Sequence, residues 1–257
     1  MRRCAAFRLI TALCLLFLYL PIVILVVNSF NASRFGSVWG GFSLHWYRAL
    51  LANERVWQAL VNTLLVALVA TLVATVLGTL AAFALHRYHS RWQQVHYTLV
   101  YAPLVVPDVL LGMSLLLLFV HLGVSLGLTT IMLAHTSFCI SYVAMVVLAR
   151  LQDFDFSIIE AAQDLGAGWW TILWRVFLPL LAPGILAGAL LAFTLSLDDF
   201  VISFFTAGPG STTLPIQIYS MMRHGTPPVI NALSTLLLVL TFAVVFAVQR
   251  LTKGKLQ

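Results

Sequence analysis

The chain contains six apolar runs that are each long enough to cross a lipid bilayer as a helix. The hydrocarbon core of a bilayer requires a helix of about 20 mostly apolar residues. The runs occupy residues 9–30, 60–85, 99–120, 128–149, 180–205 and 229–248. Only short connections separate them, so the sequence predicts an all-α, polytopic membrane protein with six transmembrane helices. We expect one transmembrane domain to account for residues 1–257.

The composition excludes an ordinary water-soluble domain. Hydrophobic residues make up 61% of the chain and charged residues only 9%, whereas a soluble domain carries about 25% charged residues. The net charge is +6, but the basic residues fall in small groups between the apolar runs, which argues against a nucleic-acid partner. The three cysteines form no C-x-x-C pair, so neither a disulfide framework nor a metal site is expected.

The distribution of lysine and arginine predicts the orientation of the chain, because cytoplasmic loops are enriched in these residues. With an internal N-terminus, ten of the 14 basic residues fall on the cytoplasmic side. They are Arg2, Arg3, Arg8, Arg87, Arg91, Arg150, Arg175, Arg250, Lys253 and Lys255. We therefore expect both termini in the cytoplasm, and segments 31–59 and 207–228 outside, where they can contact an extracytoplasmic partner.

The connection between the fourth and fifth runs is the least lipid-like part of the chain. Ser157 and Glu160 have the spacing of a capping box, which predicts that a helix starts there. Gly166 suits a left-handed turn that ends this helix, and a second apolar run over 169–178 stops before Pro179. The sequence predicts a compact helix-turn-helix at the inner face of the membrane.

The same connection carries a motif with specific spacing. Glu160-Ala161-Ala162 is followed after three residues by Gly166, and after nine more by Val176-x-Leu178-Pro179. It closely resembles the E-A-A loop of ABC importer permease subunits, which usually have isoleucine where Val176 stands. The resemblance implies that this loop, about residues 150–179, docks on a separate ATPase and transmits its closure to the spans. In that scheme Glu160 orients the turn, Ala161 and Ala162 allow close approach, and Gly166 makes the bend. The alternative is a solvated connector in which the capping residues only order two helices.

ATP hydrolysis is expected in a partner protein. The sequence has no G-x-x-x-x-G-K-[ST] motif, since its only Gly-Lys pair, Gly254-Lys255, is followed by leucine. We therefore expect a transport subunit that is not an enzyme and that has no catalytic residue, no metal and no cofactor of its own.

Three carboxylates fall inside predicted spans, where an unpaired charge costs several kcal/mol, about 3 by insertion scales. With both spans running outward, Asp108 would lie roughly 15 Å and Asp198 roughly 25 Å from the inner ends. Asp198 and Asp199 are adjacent and point about 100° apart, so both can face one pathway only if the helix is broken there. We favour Asp198 for the pathway and Asp199 for a structural partner.

Carboxylates without lysine or arginine in the spans favour a positively charged substrate, since a desolvated ammonium group recovers Coulomb energy and hydrogen bonds from them. Other interpretations stay open. Asp108 directly follows Pro107 and could cap a half-helix, and Asp198 or Asp199 could be neutral or bonded to a neighbouring subunit. His135, within the fourth run, is expected to be packed and hydrogen bonded. Gly184-x-x-x-Gly188 offers a flat surface for close helix approach, either to another subunit or within the chain.

A wider resemblance covers nearly the full chain. The segments Asn28-Ser29-Phe30-Asn31-x-Ser33-Arg34-Phe35, Pro107-Asp108, Leu195–Ser203, Gly208-Pro209 and Asn231-Ala232-Leu233 look like the spermidine/putrescine permease group. The resemblance implies the type I ABC importer (MetI-like) architecture in a bacterial inner membrane. It also implies as partners a second, homologous permease subunit, two copies of the ATPase and a periplasmic polyamine-binding protein.

The sequence thus leads to a permease that passes a cationic polyamine by alternating access. Two alternatives remain. A permease of the same architecture for another solute, such as an amino acid or an anion, would tolerate neutral residues at Asp108 and Asp198. A channel or secondary transporter would work without an ATPase and would use the carboxylates to relay protons or coupling ions.

Overall fold

The structure, a computed structural model, describes residues 2–34, 38–88, 91–225 and 227–253. Phe35, Gly254 and Lys255, named above, lie outside these ranges. The helices are α1 (Arg2–Ser29), α2 (His45–Leu51), α3 (Glu54–Arg87), α4 (Gln93–Val105), α5 (Asp108–His121), α6 (Leu128–Gln152), α7 (Ser157–Asp164), α8 (Trp169–Ile172), α9 (Leu178–Asp198), α10 (Val201–Thr206), α11 (Leu214–Arg223) and α12 (Pro227–Lys253). The predicted all-α class is confirmed, and an isolated bridge between Asn31 and Phe42 is the only strand-like pairing in the described ranges.

Fewer spans than the six predicted are found as single straight helices. Four stretches, within α1, in α3, in α6 and from α8 through α9, are long and apolar enough to cross a membrane. A fifth is added if α4 and α5 count as one bent span. The sixth predicted run, 229–248, lies in α12, whose described apolar part, Pro228–Ala243, is shorter than a full span. The count of six therefore stays a prediction.

The third predicted span is broken in the middle. α4 and α5 meet at an angle of 110°, and the break falls at Val106 and Pro107. Pro107 has no N–H to continue the helix, and its ring forces the preceding residue out of the helical region. Val106 is accordingly extended, with φ −68° and ψ 129°. Asp108 becomes the first residue of a new helix.

The fifth span differs from the prediction at both ends. The helix does not stop before Pro179: α8 continues through a π-helical turn, Leu173–Phe177, directly into α9. A proline cannot donate to the carbonyl four residues back, and the wider π turn accommodates the missing bond without ending the helix. At the other end α9 stops at Asp198, two residues separate it from α10, and the predicted span 180–205 is therefore interrupted.

One compact unit comprises Gln58 to Ile216, and α6 lies at its centre. α6 packs against α9, α4, α10 and α5. Glycines allow the closest approaches: a Cβ on Gly188 of α9 would lie 3.3 Å from a methyl group of Val143, and one on Gly78 of α3 would lie 2.8 Å from the Cβ of the same valine. Gly184 packs on the side chain of Arg150. The Gly184 and Gly188 surface is thus used inside the chain.

The other unit comprises residues up to Trp57 and those from Gln217 onward. Within it, α1 and α2 both pack against α12. The loop after α1 is built around the buried side chain of Asn31. Its amide donates to the carbonyl of Val38 (2.8 Å), and its oxygen accepts from the N–H groups of Ser33 (3.0 Å) and Gly40 (2.8 Å).

Candidate functional site

The break between α9 and α10 places two neighbouring carboxylates in different environments. Asp198 is the last residue of α9 and its side chain is exposed. Asp199 is extended, with φ −63° and ψ 122°, and its side chain is only 10% exposed. Within the described part of the chain, Asp198 has no hydrogen bond or ion pair. The helix is broken at this pair, which is the condition under which both side chains could face one pathway, but only the Asp198 side chain is exposed.

Both carboxylate oxygens of Asp199 accept hydrogen bonds from the backbone of α10. Its Oδ1 accepts from the N–H of Ile202 (3.2 Å) and its Oδ2 from the N–H of Ser203 (2.8 Å). The first N–H groups of a helix have no partner within the helix, and a carboxylate is a strong acceptor for them. Asp199 therefore caps α10, which has only six residues.

A buried histidine joins the two sides of the break. The Nδ1 atom of His135, on α6, lies 2.7 Å from the Oγ of Ser196 in α9. Its Nε2 atom lies 2.9 Å from the Oγ of Ser203 in α10 and 3.2 Å from Oδ2 of Asp199. His135, Ser196 and Ser203 are at most 2% exposed. The expectation that His135 is packed and hydrogen bonded is confirmed, but its connection to the break was not anticipated.

A signal for this connection exists in the sequence. A histidine in an apolar run needs polar partners at the same depth, and the serines on either side of the Asp198-Asp199 pair are such partners. Ser196 and Ser203 are 61 and 68 residues away from His135. Spacing alone could not select them from the other hydroxyl groups in the spans.

Asp108 lies at the start of α5. It follows Pro107, which occupies the cap position, and its side chain is exposed. No side-chain capping bond is formed at this end of α5. The suggestion that Asp108 caps a half-helix is thus half right, because the half-helix exists but the side chain does not cap it. As a first-turn acid it still interacts favourably with the helix dipole.

α5 and α10 pack side by side and run in the same direction. A Cβ on Gly112 of α5 would lie 2.8 Å from the ring of Phe205 and 3.4 Å from the Cα of Ile202 in α10. Beyond the C-terminal ends of both helices, Gly208 lies against the carbonyl of Leu126. Asp108 is the first residue of α5, and Asp198 comes three residues before the first residue of α10. The two exposed carboxylates therefore lie at the same end of this helix pair.

The two exposed carboxylates differ in their electrostatics. Asp108 lies at a helix N-terminus, where the partial positive charge of the dipole stabilises its anionic form. Asp198 ends the 21-residue helix α9, where unpaired carbonyls add partial negative charge to that of the carboxylate. At membrane depth this combination attracts a cation more strongly than a carboxylate alone. Asp198 is the better candidate for a cation contact.

The predicted helix-turn-helix of the E-A-A loop is present. α7 ends in a turn at Gly166, which has φ +79°. The N–H of Gly166 donates to the carbonyl of Gln163 (2.8 Å), and the N–H of Ala167 donates to that of Ala162 (3.0 Å). This pair of bonds defines a Schellman motif, which needs a left-handed residue and favours glycine. α7 then packs back against α8 and the π turn.

The predicted capping box is wrong. Ser157 is already the first helical residue of α7, and the side chain of Glu160 makes no hydrogen bond in the described part of the chain. Asp155 does the capping instead, since its Oδ1 accepts from the N–H of Ser157 (3.0 Å). The hydroxyl and the N–H of Ser157 together lower the pKa of Asp155. The N–H of Glu160, which the Ser157 hydroxyl was expected to cap, donates instead to the carbonyl of Phe156 (3.3 Å), because the helix begins one residue earlier than the box requires.

The residues of the motif lie close together along this loop. Glu160, Ala161, Gly166 and Pro179 are exposed, whereas Ala162, Val176 and Leu178 are half-buried. Beside them the turn presents large apolar side chains that the sequence analysis did not single out. Leu165 is 89% and Trp170 is 70% exposed. Side chains of this kind on a free surface indicate a binding partner.

Aromatic rings connect the base of this loop to the spans. Phe154 contacts both Phe156 (4.9 Å between ring centroids) and Phe177 of the π turn (5.4 Å). Phe83 of α3 contacts Phe177 (5.6 Å), and His86 at the end of α3 stacks on Phe156 (5.1 Å). Packed rings resist independent movement. A displacement of α7 would therefore be passed to α3 and α9.

The chain is similar to a family of membrane transport proteins and to individual permeases. Residues 74–255 match the family described as "Binding-protein-dependent transport system inner membrane component". The spermidine/putrescine transport system permease protein PotC of Escherichia coli K12 is 44% identical over 93% of this chain and 90% of its own length. The putrescine transport system permease protein PotI of the same strain is 45% identical over 86% of this chain and 82% of its own.

A solved structure shows the same fold. A chain of a bacterial ABC transporter involved in the import of the acidic polysaccharide alginate superposes with a TM-score of 0.74 at 17% identity, covering 97% of this chain and 98% of that one. The family match covers well over half of the present chain, and the helix-turn-helix of the E-A-A loop lies where the sequence analysis placed it. The chain belongs to the family of inner membrane components of binding-protein-dependent transport systems.

Proposed function

We propose that this chain is a permease subunit of an ATP-driven importer for polyamines, and that it forms the translocation pathway with a second permease subunit. The observation that carries the proposal is the identity of 44% and 45%, over most of the chain, with two permeases of polyamine transport systems. The exposed carboxylates Asp108 and Asp198 at one end of the α5 and α10 pair support it. They supply the negative charge that a di- or triammonium substrate needs once it is desolvated.

The mechanism follows from the position of Asp198. An ammonium group of putrescine or spermidine donates hydrogen bonds to the free Asp198 carboxylate, and the alkyl chain needs only an apolar path. Asp199 cannot serve equally, because its oxygens already accept from α10 and His135. Asp108 lies at the same end of the helix pair and can contact a second ammonium group.

Coupling to ATP is assigned to the E-A-A loop. The exposed side chains of Leu165 and Trp170 next to Gly166 fit an apolar groove on an ATPase subunit. Closure of two ATPase copies moves α7, and the packed rings of Phe154, Phe156 and Phe177 pass the movement to α3 and α9. The pathway then opens alternately to the two sides. A periplasmic binding protein delivers the polyamine to the outer side.

Uptake of radiolabelled putrescine and spermidine into proteoliposomes tests the proposal. The complete transporter is reconstituted with its binding protein and with ATP on the ATPase side. Asp198→Asn and Glu160→Ala are compared with wild type, and the control is Thr98→Ala, which removes an exposed hydroxyl that donates to the carbonyl of Gln94 within α4 (2.8 Å).

We expect ATP-dependent uptake in wild type and in Thr98→Ala, and a loss of about tenfold or more in Asp198→Asn, because a carboxylate–ammonium contact contributes about 1.5–3 kcal/mol. Glu160→Ala should lose uptake through weaker coupling. Uptake without ATP would contradict the importer. Normal polyamine uptake by Asp198→Asn would make this carboxylate structural and would leave a different solute as the substrate.

A further inference from the structure

The break between α9 and α10 needs a special arrangement to exist in a membrane. Where a helix is interrupted, carbonyls at the end of one segment and N–H groups at the start of the next have no partners, and in hydrocarbon no water is present to bond them. Asp199 satisfies two N–H groups of α10. Asp199 is itself a charged group with 10% exposure, so it needs a partner in turn.

His135 is that partner, and it also contacts residues on both sides of the break. Because the Asp199 carboxylate can only accept, the Nε2 atom that lies 3.2 Å from it carries the proton. In the neutral ring Nδ1 then accepts from the hydroxyl of Ser196, 2.7 Å away in α9. Ser203 in α10 completes the set at 2.9 Å from Nε2. A single ring thus connects the last turn of α9 to the first turn of α10.

The ring is held in a rigid surrounding. His135 is 1% exposed, and its neighbours Ile131, Ala134 and Cys139 on α6 are fully buried. The ring packs against Phe138 at 5.5 Å between centroids, and the thiol of Cys139 contacts the carbonyl of Ala192 in α9 at 3.6 Å. α6 is therefore the fixed element against which the break is positioned.

We propose that His135 is a positioning residue for the substrate route, which fixes the place and direction of the Asp198 carboxylate. Asp198 stands between Ser196 and Asp199, and both of these bond to His135. Without the imidazole, the segment 196–199 loses its connection to α6 and Asp198 can turn away from the route. This inference rests on the proposed function, since it needs Asp198 to contact the polyamine.

A double-mutant cycle tests the inference in the reconstituted transporter. Putrescine uptake and ATP hydrolysis are measured together for wild type, His135→Leu, Asp198→Asn and the double variant. The readout is putrescine transported per ATP hydrolysed, because a variant that merely folds or assembles poorly lowers both rates and leaves this ratio unchanged.

We expect each single substitution to lower the ratio about tenfold, and the double variant to be no more than about threefold below either one, because residues that act through one contact are non-additive. His135→Gln should recover part of the ratio, since an amide can donate to Asp199 and accept from Ser196. The control is Thr136→Ala, which removes a hydroxyl bonded only within α6, to Met132, and should leave the ratio unchanged.

Two results would overturn the inference. A ratio in the double variant equal to the product of the two single losses, roughly hundredfold, would mean that His135 acts independently of Asp198. A proportional loss of uptake and hydrolysis in His135→Leu would make His135 purely structural. If His135→Leu does not assemble, Ser203→Ala removes one contact of the ring with a smaller change and should lower the ratio in the same direction. If Asp198→Asn alone leaves the ratio at the wild-type value, the proposed route through Asp198 fails instead.

Discussion

At the scale of single residues, Asp198 and Asp199 are adjacent in the chain and have opposite environments. Asp199 accepts two backbone hydrogen bonds and pairs with His135, whereas Asp198 is exposed and has no partner in the described part of the chain. A buried carboxylate with several donors contributes to stability, and an unpaired exposed one does not. The two should therefore respond differently to the same substitution.

The expected difference is in thermal stability. Asp199→Asn replaces a charged acceptor by an amide, whose NH₂ group must face either the N–H groups of α10 or the Nε2–H of His135. Its free energy of unfolding should fall by about 1–3 kcal/mol, whereas Asp198→Asn should change it by less than about 0.5 kcal/mol. The thermal unfolding of the two purified transporters in detergent measures this. Equal shifts in the two variants would contradict the capping role.

Asp155 gives a prediction that depends on pH. Its pKa is lowered by the hydroxyl and N–H of Ser157. Since the folded pKa is below the unfolded one, about 3.9, the stabilisation is complete above that value and is lost as the pH falls through the folded pKa. Asp155→Asn should therefore expose the first turn of α7 to faster amide hydrogen exchange at pH 7, and the difference from wild type should shrink as the pH drops below about 4.

The control for this experiment is Asp153→Asn. Asp153 is exposed at the end of α6 and makes no side-chain hydrogen bond in the described residues. It should leave the exchange of α7 unchanged. An Asp155→Asn effect of constant size from neutral to acidic pH would show that the carboxylate charge is not what holds the turn.

At the scale of elements, turns set by neighbouring residues could be predicted from the sequence, and contacts between residues far apart in the chain could not. The Gly166 turn follows from neighbouring residues, and the structure has it with φ +79°. The capping box failed because Ser157 is already the first helical residue, and the N–H of Glu160 bonds to the carbonyl of Phe156. Pro179 was expected to end a helix, but the π turn before it absorbs the missing hydrogen bond. The His135 network joins residues more than 60 positions apart, and local pattern contains no information on such contacts.

The Gly166 turn can be tested with a closely matched glycine. Gly166 and Gly168 are both exposed, and a Cβ on either would meet no atom within 4 Å. They differ in backbone, since Gly166 has φ +79° and Gly168 has φ −72°. A side chain in the left-handed region costs about 1–2 kcal/mol, so Gly166→Ala should strain the turn and Gly168→Ala should not.

The measurement is ATP-driven uptake together with ATP hydrolysis. Gly166→Ala should lower uptake severalfold, because α7 would no longer fold back on α8 in the geometry that we propose for docking on the ATPase. Gly168→Ala should retain at least about half of the wild-type rate, as exposed substitutions usually change stability by less than about 0.5 kcal/mol. Similar losses in both variants would mean that the extra methyl group, and not the backbone angle, disturbs the loop.

At the scale of the whole molecule, the bend between α4 and α5 decides the topology. A pair of helices bent by 110° can either be a broken span or a loop that enters and leaves the membrane on one side. The positive-inside count supports a broken span, since it requires six crossings to place most basic residues inside. Under that arrangement three crossings separate segment 31–59 from the loop at 150–179. If α4 and α5 were re-entrant, only two crossings would separate them. Segment 31–59 and the loop at 150–179 would then lie on the same side of the membrane.

Labelling of single cysteines from outside the cell distinguishes the two arrangements. In a variant without Cys4, Cys14 and Cys139, Trp39→Cys and Trp170→Cys each introduce one thiol at a position where the tryptophan is more than half exposed. A membrane-impermeant maleimide should label the first in intact spheroplasts and the second only after permeabilisation, because the proposed coupling requires the E-A-A loop to face the ATPase. Labelling of both thiols in intact spheroplasts would make α4 and α5 re-entrant. It would also move the E-A-A loop to the side without ATP, which the coupling mechanism does not allow.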